Sequence, residues 1–130
     1  MNNLTTDLSV HLQKTLIIDD EIDICMLLKS FLKKRNKDVS YSTSLKDGYE
    51  KLVSQQPEIL ILDQNLPDGL GINNIRKFKE SIKGKPLFVV VISAMSNLQK
   101  QAMDNGADFF IPKPISYSSL NQALELMQPL

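Results

Sequence analysis

Acidic residues end two separate apolar runs of this chain. Asp19 and Asp20 follow residues 16–18, and Asp63 follows residues 59–62. Such runs predict buried strands, and the carboxyl ends of parallel strands are where ligands bind in α/β sheets. Two carboxylates about 4 Å apart repel by roughly 4 kcal/mol at an effective dielectric of about 20, and a divalent cation reverses that cost. Because the ligands are oxygens without clustered Cys or His, the predicted ion is Mg²⁺.

Length and composition favour one soluble domain. The 130 residues are 42% hydrophobic and 23% charged, and 15 basic residues balance 15 acidic ones. This balance argues against nucleic acid as a direct partner. The longest apolar run, residues 87–92, is far shorter than the roughly 20 residues that span a bilayer, and the N-terminus does not resemble a signal peptide. We therefore expect a cytoplasmic protein without a membrane segment, in which the single Cys25 has no redox role.

Apolar periodicity predicts five strands that alternate with five helices. The clearest helix signal is the spacing of Ile24, Leu27, Leu28, Phe31 and Leu32, which places them on one face. Strands are predicted at residues 16–18, 39–41, 59–62, 87–92 and 108–111, and the later helices near residues 45–53, 75–82, 98–105 and 120–127.

This alternation predicts an α/β fold with one five-stranded parallel sheet and helices on both faces. The flavodoxin-like, doubly wound (βα)5 arrangement with strand order 2-1-3-4-5 fits best. Residues 1–13 lack a sustained apolar period and are predicted to be an N-terminal extension, with the domain itself at residues 14–130.

Polar residues follow four of the predicted strands in a recognisable pattern. Asp19 and Asp20 follow the first strand, Asp63 the third, Ser93 the fourth, and Lys113, which precedes a proline, follows the fifth. Over about residues 14–128 the chain resembles a response-regulator receiver domain of two-component signalling, of the chemotaxis-regulator type.

The resemblance implies a phosphorylation site. Asp63 would be the phosphoacceptor, and Asp19 and Asp20 would hold Mg²⁺ together with Asp63 and the backbone carbonyl of Asn65. The chemistry is reasonable for these residue types, since a carboxylate can attack an activated phosphorus if nearby cations reduce the repulsion between the anions. The protein would then be no enzyme, apart from catalysing its own phosphoryl transfer and slow autodephosphorylation.

The resemblance also implies a switch and its partners. Ser93 would hydrogen-bond the phosphoryl group, Lys113 would pair with it, and Phe110 would be the switch aromatic. A cis Lys113-Pro114 bond is implied as well. The phosphoryl group would come from a sensor histidine kinase or a phosphotransfer protein. The face formed by helix four, strand five and helix five would then bind a downstream protein or a second copy of the chain.

Each of these residues also has a simpler interpretation when it is taken alone. Asp20, Asp63 and Ser93 each follow a strand and so are candidate helix N-caps. Lys113 is a candidate solvated surface lysine, and Phe110 a candidate core residue of its strand. The combination of all these positions at the ends of four strands favours the phosphorylation site.

Neighbouring acidic residues are given structural interpretations. Glu21 and Asp23 are predicted to be favourable charges in the first turn of a helix rather than extra metal ligands, and Asp68 to be a turn residue.

Other functional classes fit the sequence less well. Gly69 and Gly71 imitate a dinucleotide fingerprint, but Asn74 replaces its third small residue. An aspartyl-phosphate hydrolase of the haloacid dehalogenase type would need an acid at the position of Asn65. The lone His11 lies in the predicted extension, so the chain does not resemble a histidine kinase or a phosphotransfer domain.

The remaining alternative is a receiver-like interaction module whose output does not depend on phosphorylation. The segment between Ser93 and Lys113, about two residues shorter than the family pattern, keeps that alternative open.

Overall fold

The most apolar stretches of the chain form a parallel sheet in the computed structural model, which describes residues 13–127. The strand order of the sheet is β2-β1-β3-β4-β5, and every neighbouring pair of strands is parallel. This confirms the order 2-1-3-4-5. The strands are β1 (Gln13–Ile18), β2 (Lys37–Ser42), β3 (Ile59–Asp63), β4 (Phe88–Ser93) and β5 (Phe109–Pro112).

Helices alternate with these strands, as predicted, and cover both faces of the sheet. Short 3₁₀ turns, Gly71–Asn74 and Ser96–Leu98, lead into the third and fourth helices. The helices are α1 (Ile22–Lys33), α2 (Leu45–Gln55), α3 (Ile75–Glu80), α4 (Gln99–Asp104) and α5 (Tyr117–Leu126).

The sheet separates two apolar cores, because alternate residues of a strand point to opposite faces. In β1, Leu16 and Ile18 pack in the core under α2, α3 and α4, whereas Ile17 packs in the core under α1 and α5. All five residues of β3 are buried, as expected for a central strand covered on both sides. The strand ends are therefore held rigidly from both faces.

The buried face of α1 is rotated from the predicted one. Leu27 is 44% exposed, whereas Cys25, Leu28 and Leu32 are buried. The prediction used only the large apolar residues and so did not include Cys25 in the buried face, although Cys is among the residues most often buried. Val53, also predicted to be apolar core, is 45% exposed.

The predicted domain limits at residues 13 and 14 stay a prediction, and most of the extension, with His11, lies outside the described residues. The first described strand begins at Gln13, one residue before the predicted start of the domain, and pairs with β2 opposite Lys37.

The loop after β3 is fastened to the start of α2. Asp68 lies in the turn between Asn65–Leu66 and Gly69–Leu70, which form a short antiparallel ladder. Its carboxylate accepts hydrogen bonds from the backbone N–H groups of Leu45 at 2.8 Å and Lys46 at 2.9 Å. These bonds lower the pKa of Asp68. Asp68 is a turn residue, as predicted, and in addition caps a helix distant from it in sequence.

Candidate functional site

The carboxyl edge of the sheet brings the predicted site residues together. Asp19 follows β1, Asp63 ends β3, Ser93 ends β4 and Lys113 follows β5. The first three are at most 4% exposed. Since all five strands are parallel, their last residues converge at one edge, where a parallel sheet binds ligands.

A single ammonium group connects three acidic side chains at this edge. Lys113 Nζ lies 3.3 Å from Asp19 Oδ2, 3.3 Å from Asp63 Oδ1 and 2.9 Å from Glu21 Oε1. Its side chain is only 17% exposed. The carboxylates from β1 and β3 therefore share a counter-ion delivered by β5.

The prediction that Glu21 is a first-turn charge of α1 was wrong. Glu21 occupies the N-cap position without a side-chain cap hydrogen bond, and Asp23 is the acid of the first turn. The Glu21 carboxylate instead accepts a hydrogen bond from Lys113. The sequence signal is weak, because Lys113 lies 92 residues away along the chain.

Burial dominates the electrostatics of the site. Burial and, to a smaller extent, the charge of Asp19 raise the pKa of Asp63, Lys113 opposes both effects, and the resulting pKa is about 6. Burial also raises the pKa of Asp19, against the hydrogen bond from the Glu21 backbone and the charge of Lys113. For Lys113, burial alone lowers the pKa, but the hydrogen bond to Glu21 and the charges of Asp63 and Asp19 raise it overall. Lys113 is thus a stable cation between groups that resist ionisation.

The acidic side chains next to β1 suit a hard cation. Carboxylate oxygens of Asp19, Asp20 and Glu21 lie within 4.8 Å of one another. Asp19 Oδ1 accepts the Glu21 N–H at 2.8 Å, but Asp19 Oδ2 is buried and accepts no hydrogen bond, although Lys113 is near it. Asp20 is exposed, and since Glu21 holds the N-cap position, the N-cap interpretation of Asp20 is not supported. A buried carboxylate oxygen without a donor fits Mg²⁺, which takes oxygen ligands.

Gln64, which the sequence analysis did not single out, anchors the loop that contains Asn65. Its side-chain Oε1 accepts the backbone N–H of Ile72 at 2.9 Å, and its carbonyl accepts that of Gly71 at 2.8 Å. A Cβ at Gly71 would collide with the carbonyl oxygen of Asp63. Asn65 itself is exposed, two residues after Asp63. Buried hydrogen bonds therefore fix the backbone on which Asp63 and Asn65 lie.

Ser93 and Phe110 lie on neighbouring strands behind the acidic residues. Ser93 Oγ accepts the backbone N–H of Met95 at 3.0 Å, which leaves its O–H free to act as a donor. Its carbonyl accepts the N–H of Lys113 at 2.8 Å, and the Lys113-Pro114 bond is cis, as the family resemblance implied. Phe110 is 7% exposed and packs in the core under α2, α3 and α4.

The family model of the response regulator receiver domain matches residues 15–125. The chain therefore belongs to the response regulator receiver domain family, which confirms the resemblance seen in the sequence. It is a receiver domain of the type found in two-component response regulators.

Individual relatives agree with this assignment. The chain is 32% identical over 113 residues to the KDP operon transcriptional regulatory protein KdpE of Escherichia coli, covering 85% of this chain and 49% of KdpE. It is 29% identical over 121 residues to the response regulator protein PilR of Pseudomonas aeruginosa, covering 90% of this chain and 27% of PilR. The chain thus spans half or less of these relatives.

The fold matches solved receiver domains as well. A CheY-like receiver domain from Methylobacillus flagellatus aligns with a TM-score of 0.83 at 26% identity, over 91% of this chain and all of that one. Within residues 13–127, no helix is both long and apolar enough to cross a membrane.

The raised pKa of Asp63 predicts an unusual pH dependence of stability. The pKa is about 6 in the folded, metal-free protein, against about 3.9 in an unfolded chain. Between these values the folded state keeps a proton that the unfolded state has lost, so stability falls as pH rises from about 4 to about 6 and then levels off. Asp63→Asn should reduce this slope and stabilise the protein at pH 7 by on the order of 2 kcal/mol.

Urea unfolding between about pH 4 and pH 8, in the presence of a chelator, measures this effect. Asp38→Asn, at an exposed position of β2, is the matched control and should retain the wild-type slope. A slope in Asp63→Asn equal to that of the wild type would show that Asp63 is not the responsible group.

Proposed function

We propose that this receiver domain is a signalling switch that accepts a phosphoryl group on Asp63 from a histidine kinase or a phosphotransfer protein. The observation that supports this most is the position of the Lys113 ammonium, 3.3 Å from both the Asp63 and the Asp19 carboxylates. Such a cation can pair with the new negative charges when a phosphoryl group is added to Asp63.

The transfer step uses groups that the chain supplies. An oxygen of the Asp63 carboxylate attacks the phosphorus of a phosphohistidine. The O–P bond forms while the P–N bond breaks, and its electron pair returns to the imidazole nitrogen of the donor. With a pKa of about 6, Asp63 is mostly ionised at neutral pH and therefore nucleophilic. Lys113 offsets the repulsion between the carboxylate and the incoming group, and the Ser93 hydroxyl donates to one of its oxygens.

Asp19, Asp20, Asp63 and the backbone carbonyl of Asn65 are the residues that would hold Mg²⁺. When bound, the ion would neutralise charge on the phosphoryl oxygens. The buried Asp19 Oδ2, which accepts no hydrogen bond, supports this proposal. Beyond its own phosphorylation and slow autodephosphorylation, the domain is proposed to have no enzymatic activity and to act in the cytoplasm.

The proposed output is a change at the face formed by α4, β5 and α5. Ser93 and Phe110 lie on the neighbouring strands β4 and β5, whose register pairs Val91 with Phe110. A Ser93 hydroxyl drawn toward a phosphoryl oxygen changes the space next to Phe110. The face would then bind a downstream protein or a second copy of the chain.

Phosphorylation of Asp63 is the direct test of the proposed function. Purified protein given Mg²⁺ and a small phosphodonor such as acetyl phosphate should gain one phosphoryl group by intact mass, and a chelator should prevent the gain. Asp63→Asn retains the shape of the side chain but not the nucleophile, so it should gain none. Asp38→Asn, which alters an exposed acid of β2 outside the proposed site, is the control and should still be labelled. Equal labelling of Asp63→Asn and wild type would refute the assignment.

The proposed coupling between Asp63 and Phe110 predicts that Ser93→Ala separates phosphorylation from the structural change at Phe110. A ligand shifts a conformational equilibrium only through its different affinity for the two states, and here the Ser93 hydrogen bond supplies that difference. The alanine variant should accept a phosphoryl group on Asp63 while the Phe110 ring resonances stay at their unphosphorylated positions. Ser96→Ala, on the neighbouring 3₁₀ turn, is the control and should respond as the wild type does. Unchanged NMR spectra of residues 94–115 in phosphorylated wild type would instead favour an interaction module that is independent of phosphorylation.

A further inference from the structure

Lys113 does not divide its contacts equally among the three acids. Its hydrogen bond is to Glu21 Oε1 at 2.9 Å, whereas the oxygens of Asp19 and Asp63 are both 3.3 Å from Nζ. Asp19 Oδ2 is buried and accepts no hydrogen bond. The most exposed of the three acids therefore holds the ammonium most closely, and the buried Asp19 Oδ2 has only the longer contact with it.

We propose that Glu21 is a positioning residue that holds Lys113 in the unphosphorylated state and competes with the phosphoryl group for its ammonium. This inference rests on the phosphoacceptor role of Asp63 proposed above and adds to it a residue that sets how readily the site is activated. Before the phosphorylated state is stabilised by Lys113, the hydrogen bond to Glu21 must lengthen or break.

The exposure of Glu21 makes this competition reversible. Its side chain is 60% exposed, so after releasing Lys113 the carboxylate is solvated by water at little cost. Asp19 and Asp63 are almost fully buried and have no such alternative. Of the three acids, Glu21 is the one that can release the ammonium without leaving a buried charge unpaired.

Glu21 also lies beside the acids proposed to hold the metal. Its carboxylate, with those of Asp19 and Asp20, forms a group whose oxygens lie within 4.8 Å of one another. Replacing Glu21 by a neutral residue would therefore also weaken the attraction of this group for a cation. For that reason Mg²⁺ saturation has to be established separately for each Glu21 variant.

Beryllofluoride, a mimic of the phosphoryl group, tests the proposal without a kinase. Amide NMR titration at saturating Mg²⁺ gives the beryllofluoride concentration for half conversion, with Mg²⁺ saturation established separately for each variant. Glu21→Gln removes the charge that holds Lys113 and should lower this concentration about two- to fivefold, the size expected for loss of a partly exposed ion pair. Asp23→Asn removes the same charge from an exposed acid in the first turn of α1 and should leave the concentration unchanged.

Two further variants separate direct contact from general charge. Glu21→Asp keeps the charge but shortens the side chain by one methylene, so it should behave like Glu21→Gln if the hydrogen bond to Lys113 is responsible. In a Lys113→Ala background, Glu21→Gln should have no additional effect, because the two residues act through one contact.

The possible results are distinguishable. If wild type does not bind beryllofluoride, the proposed function itself fails. If wild type binds it and Glu21→Gln needs the same or a higher concentration, the phosphoacceptor role stands and the competition is refuted. An equal decrease in Asp23→Asn and Glu21→Gln would also refute it, because the effect would then be one of overall charge.

Discussion

The shared ammonium of Lys113 is the interaction on which the rest of the site depends. Two buried carboxylates, from Asp19 and Asp63, end neighbouring strands, and ionised groups in such surroundings are costly unless they are paired. A lysine from β5, 3.3 Å from both, supplies the common counter-ion. Lys113 offsets the cost of burying these charges only in part, because the pKa values of both acids remain raised. The site therefore gains stability from additional positive charge near these two carboxylates.

The fold explains how residues distant in sequence reach that ammonium. A parallel sheet brings all strand ends to one edge, and two apolar cores hold the strands from both faces. The loop after β3 is fixed separately, by the buried hydrogen bonds of Gln64 and by the close approach of Gly71 to the Asp63 backbone. A rigid edge and a fixed loop keep Asp63 in place, while the exposed Glu21 remains free to change partners.

The fold, and the convergence of Asp19, Asp63 and Lys113 at one edge of the sheet, could be predicted from the sequence, because both depend on local signals. Apolar runs define the strands, and polar residues directly after them define the edge. Glu21 and Gln64 could not be assigned in this way. Their partners are Lys113, reached only through the sheet topology, and the backbone of Ile72, reached only through the loop conformation. The buried face of α1 was predicted wrongly for a related reason. Cys25 is small and gives a weaker apolar signal than Leu27.

The central claim, that Lys113 neutralises buried carboxylates, is tested most directly by a double-mutant cycle of unfolding free energies at about pH 7.5 without Mg²⁺. Lys113→Met retains an unbranched stem of similar bulk but removes the ammonium group and its charge. In the wild-type background we expect it to cost roughly 3 kcal/mol, because two buried acids lose their partner. In the Asp63→Asn background the cost should be clearly smaller, because one of those acids is already neutral. An equal cost in both backgrounds would contradict the account and would show that Lys113 stabilises the fold by packing rather than by charge.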